Sequence, residues 1–179
     1  MSRIFGPIRQ MAYVVRDIEQ GMRHWIDAMG VGPFFYLENH TAPASTYRGQ
    51  PSNSKLSIAF AQCGPMQIEL LQPMNDAPSL LTDFLKSGCE GLQHVAFWTT
   101  TFDADIARYQ KLGYKVVQTG GMGGPNNGNA FFEVEGYPAV AHAIEISDIS
   151  GTKGQMFRRI AEAAEGWDGR DPIRKLSPG

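Results

Sequence analysis

The chain has 179 residues, of which 42% are hydrophobic and 19% charged, a balance typical of a folded protein with a sizeable core. Its net charge of −2 argues against a nucleic-acid-binding protein, which would need a basic face, but leaves room for a local basic pocket. Two cysteines without a CxxC motif argue against a disulfide scaffold or a cysteine-rich zinc site. The N-terminus lacks the apolar stretch of a signal peptide, and no run reaches the roughly 18 apolar residues of a membrane span, so we expect a cytoplasmic protein.

The first predicted elements are a strand, a helix and a second strand. Residues 8–15 form a short strand-like run, and the apolar residues that follow recur at helical spacing. Asp17 is placed to cap this helix at its N-terminus, and Gly30 is placed to end it. An aromatic strand follows over residues 33–37. The next stretch, residues 39–55, is rich in Ser, Thr, Pro, Asn and Gly and predicts a long loop.

Two more strands, 56–62 and 66–71, complete a β-α-β-β-β unit, and the Gly-Pro pair between them predicts a hairpin. The same order recurs after a linker helix over residues 79–87. The second unit comprises a strand over 92–99, a helix over about 103–112, a strand over 114–119, a glycine-rich loop over 120–129, and strands over 130–135 and 140–147. An amphipathic stretch over residues 155–164 then predicts a C-terminal helix, and the tail after it an ordered extension packed through Trp167.

Two such units side by side predict an α+β fold. The two βαβββ modules, residues 6–73 and 91–149, would form one cupped mixed β-sheet with helices outside, plus the C-terminal helix. Two copies are too few for a solenoid. We therefore predict a single domain over residues 1–179, with a C-terminal extension over 150–179.

The repeat places two pairs of polar residues at matching positions. Gln10 and His94 lie in the first strands of the two units, 84 residues apart. Glu69 and Glu145, each set between aliphatic residues in a later strand, are 76 residues apart. We therefore predict one site built from these four side chains.

The four side chains are donors that suit a divalent cation. Gln10 offers an amide oxygen, His94 a ring nitrogen, and the two glutamates carboxylates. The alanines two residues after Gln10 and His94 share their faces of the strands and leave room for a substrate. These ligand types favour Zn²⁺ or Ni²⁺ and are compatible with Mn²⁺, Co²⁺ or Fe²⁺. We predict one divalent metal ion as cofactor and a small-molecule substrate.

The remaining histidines are weaker candidates for ligands. His142 lies three residues before Glu145, so in a regular strand it faces the other side of the sheet. His24 on the first helix and His40 in the long loop are predicted to be surface residues or partners of nearby groups.

Aromatic strand residues and one loop methionine are candidates for the wall of a substrate pocket. The predicted pocket residues are Phe34, Tyr36, Phe60, Trp98, Met122 and Phe131. The glycine-dense segment 120–124 leads into a strand rather than a helix, so it lacks the setting of a phosphate-binding loop.

Four segments carry a family resemblance: IRQMAYVVRD at 8–17, IELLQP at 68–73, GLQHVAF at 91–97 and AIEI at 143–146. In these segments the chain resembles the vicinal oxygen chelate superfamily, which contains glyoxalase I, methylmalonyl-CoA epimerase and the extradiol dioxygenases. The resemblance covers residue 8 to about residue 148. It implies a metal site in a cupped sheet and a homodimer.

The resemblance also implies roles for individual carboxylates. In glyoxalase-type chemistry a metal-bound carboxylate removes a proton from the carbon next to a carbonyl. Glu145 is then the first candidate base and Glu69 the second. Glu38 aligns loosely with a catalytic acid/base position of the epimerase, but it equally fits an exposed strand end.

The chain departs from glyoxalase I at two positions that contact glutathione. Where that enzyme has an arginine and an asparagine, this chain has Val14 and Pro73, which argues against glutathione as a ligand. The segment 68–73 and the helix after it are more similar to the epimerase. Extradiol dioxygenases hold iron with two histidines and one carboxylate, a set that the four predicted positions do not supply.

Three functions follow from these observations. The leading prediction is a metal-dependent lyase or isomerase/epimerase that removes a proton next to a carbonyl in a small oxygenated substrate. One alternative is a metal-dependent hydrolase of an ester or lactone. The other is a non-catalytic protein that binds an antibiotic-like small molecule in the same cup.

Overall fold

The computed structural model describes residues 2–133 and 142–176. These residues contain four helices and eleven strands. In chain order the elements are β1 (Gln10–Val14), α1 (Ile18–Met29), β2 (Phe34–Thr41), β3 (Thr46–Tyr47), β4 (Gln50–Pro51), β5 (Lys55–Cys63), β6 (Met66–Pro73), α2 (Leu80–Lys86), β7 (Gly91–Thr99), α3 (Phe102–Lys111), β8 (Val116–Gly121), β9 (Gly128–Glu133), β10 (Ala143–Asp148), α4 (Thr152–Ala164) and β11 (Ile173–Lys175).

The strands form one mixed sheet in the order β11-β2-β5-β6-β1-β7-β10-β9-β8-β3-β4. Strands β2, β5, β6 and β1 form a first half, and β7, β10, β9 and β8 form a second half with the equivalent order. The halves join where β1 pairs antiparallel with β7, while β1 is parallel to β6 and β7 is parallel to β10. The predicted α+β class, with one large mixed sheet, is confirmed.

Local signals account for α1. The Asp17 carboxylate accepts a hydrogen bond from the Gln20 backbone N–H, and the helix ends at Gly30, whose φ of 64° lies in the left-handed region. Its apolar stripe packs on the outer face of the first half, where Ile18 and Met22 are buried. In the same way α3 covers the outer face of the second half through Tyr109.

The other two helices pack on the inner face of the sheet. Leu81 of α2 and Phe157 and Ile160 of α4 join a cluster with Ala12 and Val14 of β1. The C-terminal helix therefore covers part of the cup, whereas the sequence predicted only that it follows the second unit. At Gly154 the first turn of α4 lies directly against the backbone of Ile149. A Cβ atom at this position would overlap the Ile149 carbonyl oxygen, so glycine is required.

Two regions contain strands that the sequence did not predict. The loop predicted over residues 39–55 includes the end of β2 and the short strands β3 and β4, and β3 pairs with β8 so that Thr46 lies opposite Thr119. The tail extends the other edge, where Ile173 lies beside Phe34 in a parallel β11–β2 pair. Both partners are distant along the chain, so no local pattern indicates the pairing.

The last two predicted strands fall only partly within the described residues. Their described parts are β9 and β10, while residues 134–135 and 140–141 of the predictions lie outside the described residues. The glycine-rich loop predicted over residues 120–129 is shorter in the structure, because β8 extends to Gly121 and β9 begins at Gly128.

Candidate metal centre

A cavity of about 770 Å³, including the solvent at its mouth, lies on the inner face of the sheet. Aliphatic and aromatic side chains such as Ile58, Leu71 and Phe157 form much of its wall. The four predicted ligands all contribute to its lining, namely Gln10, Glu69, His94 and Glu145. The cavity thus combines an apolar wall with a small group of polar side chains, as ligand-binding sites typically do.

The strand register explains why these residues meet. Glu69, Ala12 and His94 lie side by side across β6, β1 and β7, so the small side chain of Ala12 separates the two larger ones. In the next row of the same face, Ala96 lies beside Glu145 on β10. Both alanines are fully buried and leave space above them for the polar groups.

Three of the side chains come close enough to share an ion. One ligand atom from each of Glu69, His94 and Glu145 lies within 4.8 Å of the other two. The His94 Nε2 atom is 3.0 Å from Glu145 Oε2 and 3.5 Å from Glu69 Oε2. All three residues are buried, with exposed fractions of 7% for Glu69, 1% for His94 and 2% for Glu145.

Two buried atoms of this group have no hydrogen-bond partner among the described residues, namely His94 Nε2 and Glu69 Oε2. The other ring nitrogen of His94, Nδ1, lies 2.7 Å from Gln93 Oε1. An amide oxygen only accepts, so Nδ1–H is the donor of this hydrogen bond, and Nε2, which faces the carboxylates, offers its lone pair when a cation takes the place of its proton. Unpartnered buried donors and acceptors are rare, and these two fit a divalent cation held by nitrogen and oxygen ligands.

Gln10 is positioned by a second glutamine. Its Nε2 donates to Gln67 Oε1 over 2.7 Å, which leaves the Gln10 amide oxygen free to act as a ligand. Both glutamines are buried. The residues present therefore fit a metal ion with one imidazole and three oxygen donors.

Glu145 has polar partners that Glu69 lacks. Asn129 Nδ2 donates to Glu145 Oε1, and Asn129 Oδ1 accepts a hydrogen bond of 2.8 Å from Lys153 Nζ. The Lys153 ammonium also donates to the Gly128 carbonyl oxygen over 2.9 Å. This chain of contacts fixes the direction in which the Asn129 amide points, and with it the position of Glu145.

The surroundings shift the pKa values of these groups in different directions. Burial raises the pKa of Glu69, and the charge of Glu145 adds to that effect. For Glu145, His94 and Lys153 outweigh burial and lower the pKa. For His94, burial is likewise outweighed, because the Glu145 and Glu69 carboxylates raise its pKa to about 9. Burial lowers the pKa of Lys153 to about 8.

Residues 9–132 match the sequence model of the Glyoxalase/Bleomycin resistance protein/Dioxygenase superfamily. The chain belongs to this superfamily. The match spans more than half of the chain and confirms the resemblance identified from the four sequence segments. No curated protein matches the chain. Among the described residues, no helix has the length and apolar character needed to cross a membrane.

Solved structures share the superfamily fold at low sequence identity. A hypothetical protein from Bacillus halodurans C-125 is 19% identical with a TM-score of 0.57, over 79% of this chain and 92% of its own. A methylmalonyl-CoA epimerase from Mycobacterium tuberculosis is 17% identical with a TM-score of 0.54, over 82% and 90%. A Streptomyces coelicolor methylmalonyl-CoA epimerase variant in complex with 2-nitronate-propionyl-CoA is 17% identical with a TM-score of 0.53, over 78% and 94%.

Half of the predicted pocket residues line the cavity of this superfamily member. Phe60, Phe131 and Met122 contribute to the lining. Phe34 and Tyr36 instead pack on the outer face with α1, because alternate residues of β2 face opposite sides of the sheet. The prediction therefore assigned these two residues to the wrong face. Trp98 is not among the lining residues and packs behind the cavity wall against Phe157, with ring centroids 4.9 Å apart.

The third candidate base lies away from the cavity. Glu38 is exposed at the edge formed by β2 and β11, and its carboxylate is 3.3 Å from Lys175 Nζ. Its position corresponds to the exposed strand end that the sequence equally allowed. No role in proton transfer follows for this residue.

The remaining histidines differ in their positions. His142 is exposed and packs edge-on against Phe84, with ring centroids 4.6 Å apart, and His24 is exposed on α1. His40 is half-buried and lines the cavity, and its Nε2 lies 3.2 Å from the Gly121 carbonyl oxygen, so it contacts a nearby group, which is one of the two predicted alternatives.

Sequence reasoning missed several partners of the metal centre. Gln93 directly precedes His94, the ligand that it orients, and could have been found from that position. Gln67 orients Gln10 from the neighbouring strand β6, 57 residues away along the chain. Asn129 and Lys153 carried a weaker signal. A lysine beside glycine at the start of a helix is usually exposed, and only the packing of α4 over the cup buries it.

Proposed function

We propose that this protein is a divalent-metal-dependent isomerase/epimerase or lyase. It would remove a proton from the carbon next to a carbonyl in a small oxygenated substrate. The observation that carries this proposal is the pair of unpartnered buried atoms, His94 Nε2 and Glu69 Oε2, which face Glu145 at the base of an apolar cavity. Membership of the superfamily and the shared fold of methylmalonyl-CoA epimerases support the same reaction type.

Gln10, Glu69, His94 and Glu145 would hold the ion, for which Zn²⁺ or Ni²⁺ is favoured and Mn²⁺, Co²⁺ or Fe²⁺ would also suit the donors. When bound, the ion supplies Lewis-acid stabilisation of negative charge that develops on the substrate oxygens. The protein supplies the fixed positions of the donors, because all four lie on central strands of the sheet.

Glu69 is the better candidate for the base. Its Oε2 atom has no hydrogen-bond partner among the described residues, and burial raises its pKa toward the range in which a carboxylate accepts a proton well. Glu145 is restrained by Asn129, and its pKa is lowered. On these grounds we propose Glu69 as the base, ahead of Glu145, which the resemblance placed first.

The apolar wall would assist the reaction by excluding water. Phe60 lies beside Glu69 in the neighbouring strand, and the Phe131 ring is edge-on to His94 with centroids 5.2 Å apart. Electrostatic interactions inside such a wall are stronger than in water.

Solvent exchange at the substrate carbon tests the proposal. The protein, loaded with one equivalent of Zn²⁺ or Ni²⁺, is incubated in D₂O with panels of hydroxyketones, acyl-CoA thioesters and lactones. We expect deuterium to enter the carbon next to the carbonyl of at least one substrate, and the His94→Ala variant to lose both metal and exchange.

The same experiment separates the alternatives. Hydrolysis of an ester or lactone without exchange would favour a hydrolase. Wild-type protein that binds no metal, yet takes up a small molecule unchanged, would favour a binding protein. Either result would contradict the proposed reaction.

A further inference from the structure

Lys153 is a buried cation in the wall of the cavity. Lys153 is only 3% exposed, although it lies in the first turn of α4. Its backbone N–H donates to Asn127 Oδ1 over 2.8 Å, which ties the start of the helix to the loop before β9. The side chain is thereby directed into the protein, where it lines the same cavity as Glu69 and Glu145.

The ammonium group forms no ion pair with any described residue, although the Glu145, Asp148 and Glu69 carboxylates act on it over longer distances. It makes two hydrogen bonds to neutral acceptors, the Gly128 carbonyl oxygen and Asn129 Oδ1. An ammonium group has three donors, so one N–H is left without an acceptor in the described part of the chain. No carboxylate there lies within ion-pair distance, since the Asn129 amide stands between Lys153 and Glu145. Buried lysines are usually paired, because an uncompensated charge in a protein interior is costly.

The charges of the cavity point to the missing partner. Among the residues that line the cavity, with a divalent ion bound and His94 neutral, the two carboxylates balance the ion and Lys153 leaves one positive charge in excess; the buried Asp148 carboxylate acts on Lys153 from outside this lining. A substrate with one negative group would neutralise this charge and supply the missing acceptor.

We infer that Lys153 forms a binding site for a carboxylate group of the substrate, so that the substrate is a carbonyl compound that also carries a carboxylate. This inference rests on the proposed function, because the carbonyl end is assigned to the metal centre. The substrate carboxylate accepts a hydrogen bond from the remaining N–H of Lys153, while Asn129 holds the ammonium group in place.

Two matched probes test this site without turnover. Both are hydroxamates, whose chelating end takes the metal, and they differ only in a terminal carboxylate or a terminal carboxamide on a two-carbon tail. Their affinities for zinc-loaded protein are measured by isothermal titration calorimetry. We expect the carboxylate probe to bind at least about tenfold more tightly than the carboxamide probe.

Variants then assign the preference to Lys153. In Lys153→Met the ratio of the two affinities should fall to about one, whereas Arg159→Met, which removes an exposed cation from the same helix, should keep the wild-type ratio. Lys153→Gln provides a second neutral variant if the methionine variant does not fold.

Equal affinities in the wild type, or a preference that survives in the Lys153 variants, would overturn the carboxylate site and leave the proposed function intact. Wild-type protein that binds neither zinc nor the carboxamide probe would instead overturn the proposed function, and this inference with it.

Discussion

In the first half of the sheet, Gln10 and Glu69 face the cavity from β1 and β6; in the second half, His94 and Glu145 face it from β7 and β10. The positions are equivalent, but the surroundings are not. Glu145 is held by Asn129, which Lys153 orients in turn, whereas Glu69 Oε2 has no partner in the described part of the chain.

In the proposed reaction, this difference would give the two halves separate tasks. The second half would provide a fixed imidazole and a fixed carboxylate, and the first half an amide and a carboxylate that is free to take a proton. A duplicated fold can therefore place like residues in one site and still distinguish them through their neighbours.

The largest effect is expected from the two glutamates. Glu69→Gln should lower the rate of α-proton exchange by about 10²–10⁴-fold, because it removes the base but keeps an oxygen donor for the metal. Glu145→Gln should act mainly on metal affinity. Exchange followed by NMR and zinc affinity from chelator competition measure the two effects. If Glu145→Gln abolished exchange while Glu69→Gln preserved it, the assigned roles would be reversed.

The ligands contributed by β1 and β7 should also differ in strength. His94→Ala should weaken zinc binding by at least about 100-fold, and Gln10→Ala should weaken it less, because a neutral amide oxygen is the poorer donor for zinc. Chelator competition on both variants gives the comparison. Equal losses would show that the two halves contribute alike.

The glutamines that orient His94 and Gln10 should also differ in their effect on zinc binding. Gln93→Leu should lower zinc affinity by about tenfold, since leucine cannot accept the hydrogen bond from Nδ1–H that fixes the His94 tautomer. Gln67→Leu should have a smaller effect, because Gln10 loses only one neutral hydrogen bond. A loss in Gln67→Leu that exceeds the loss in Gln93→Leu would contradict this account.

The grouping of the four candidate ligands around one cavity was predictable from the sequence because two independent regularities agree. Alternation along a strand sets which residues share a face, and the repeat identifies Gln10 with His94 and Glu69 with Glu145. The helix signals at Asp17 and Gly30 were equally clear, since a cap needs only local contacts.

The rest of the site depends on contacts between distant segments. Lys153 is buried only because α4 packs across the cup, and Phe34 lies on the outer face only because β2 has one particular register. Neither the packing of a helix nor the phase of an aromatic strand is set by its own sequence. The pairing of β3 with β8 was missed for the same reason.

The smallest effect concerns the helices that flank the two halves. Asp17→Ala removes the side-chain cap of α1 and should lower the free energy of unfolding by about 1 kcal/mol. Thr101→Ala should cost less, because the Thr101 hydroxyl donates to the Asp105 side chain and caps no backbone N–H of α3. Urea denaturation of both variants tests this order. A larger loss for Thr101→Ala would contradict it.

X-ray absorption spectroscopy on zinc-loaded protein tests the metal centre most directly. The geometry predicts one ion per chain with one imidazole nitrogen, the remaining ligands being oxygen, and loss of the imidazole signal in His94→Ala. A spectrum with sulfur or several imidazoles, or protein that retains no stoichiometric metal, would contradict the account.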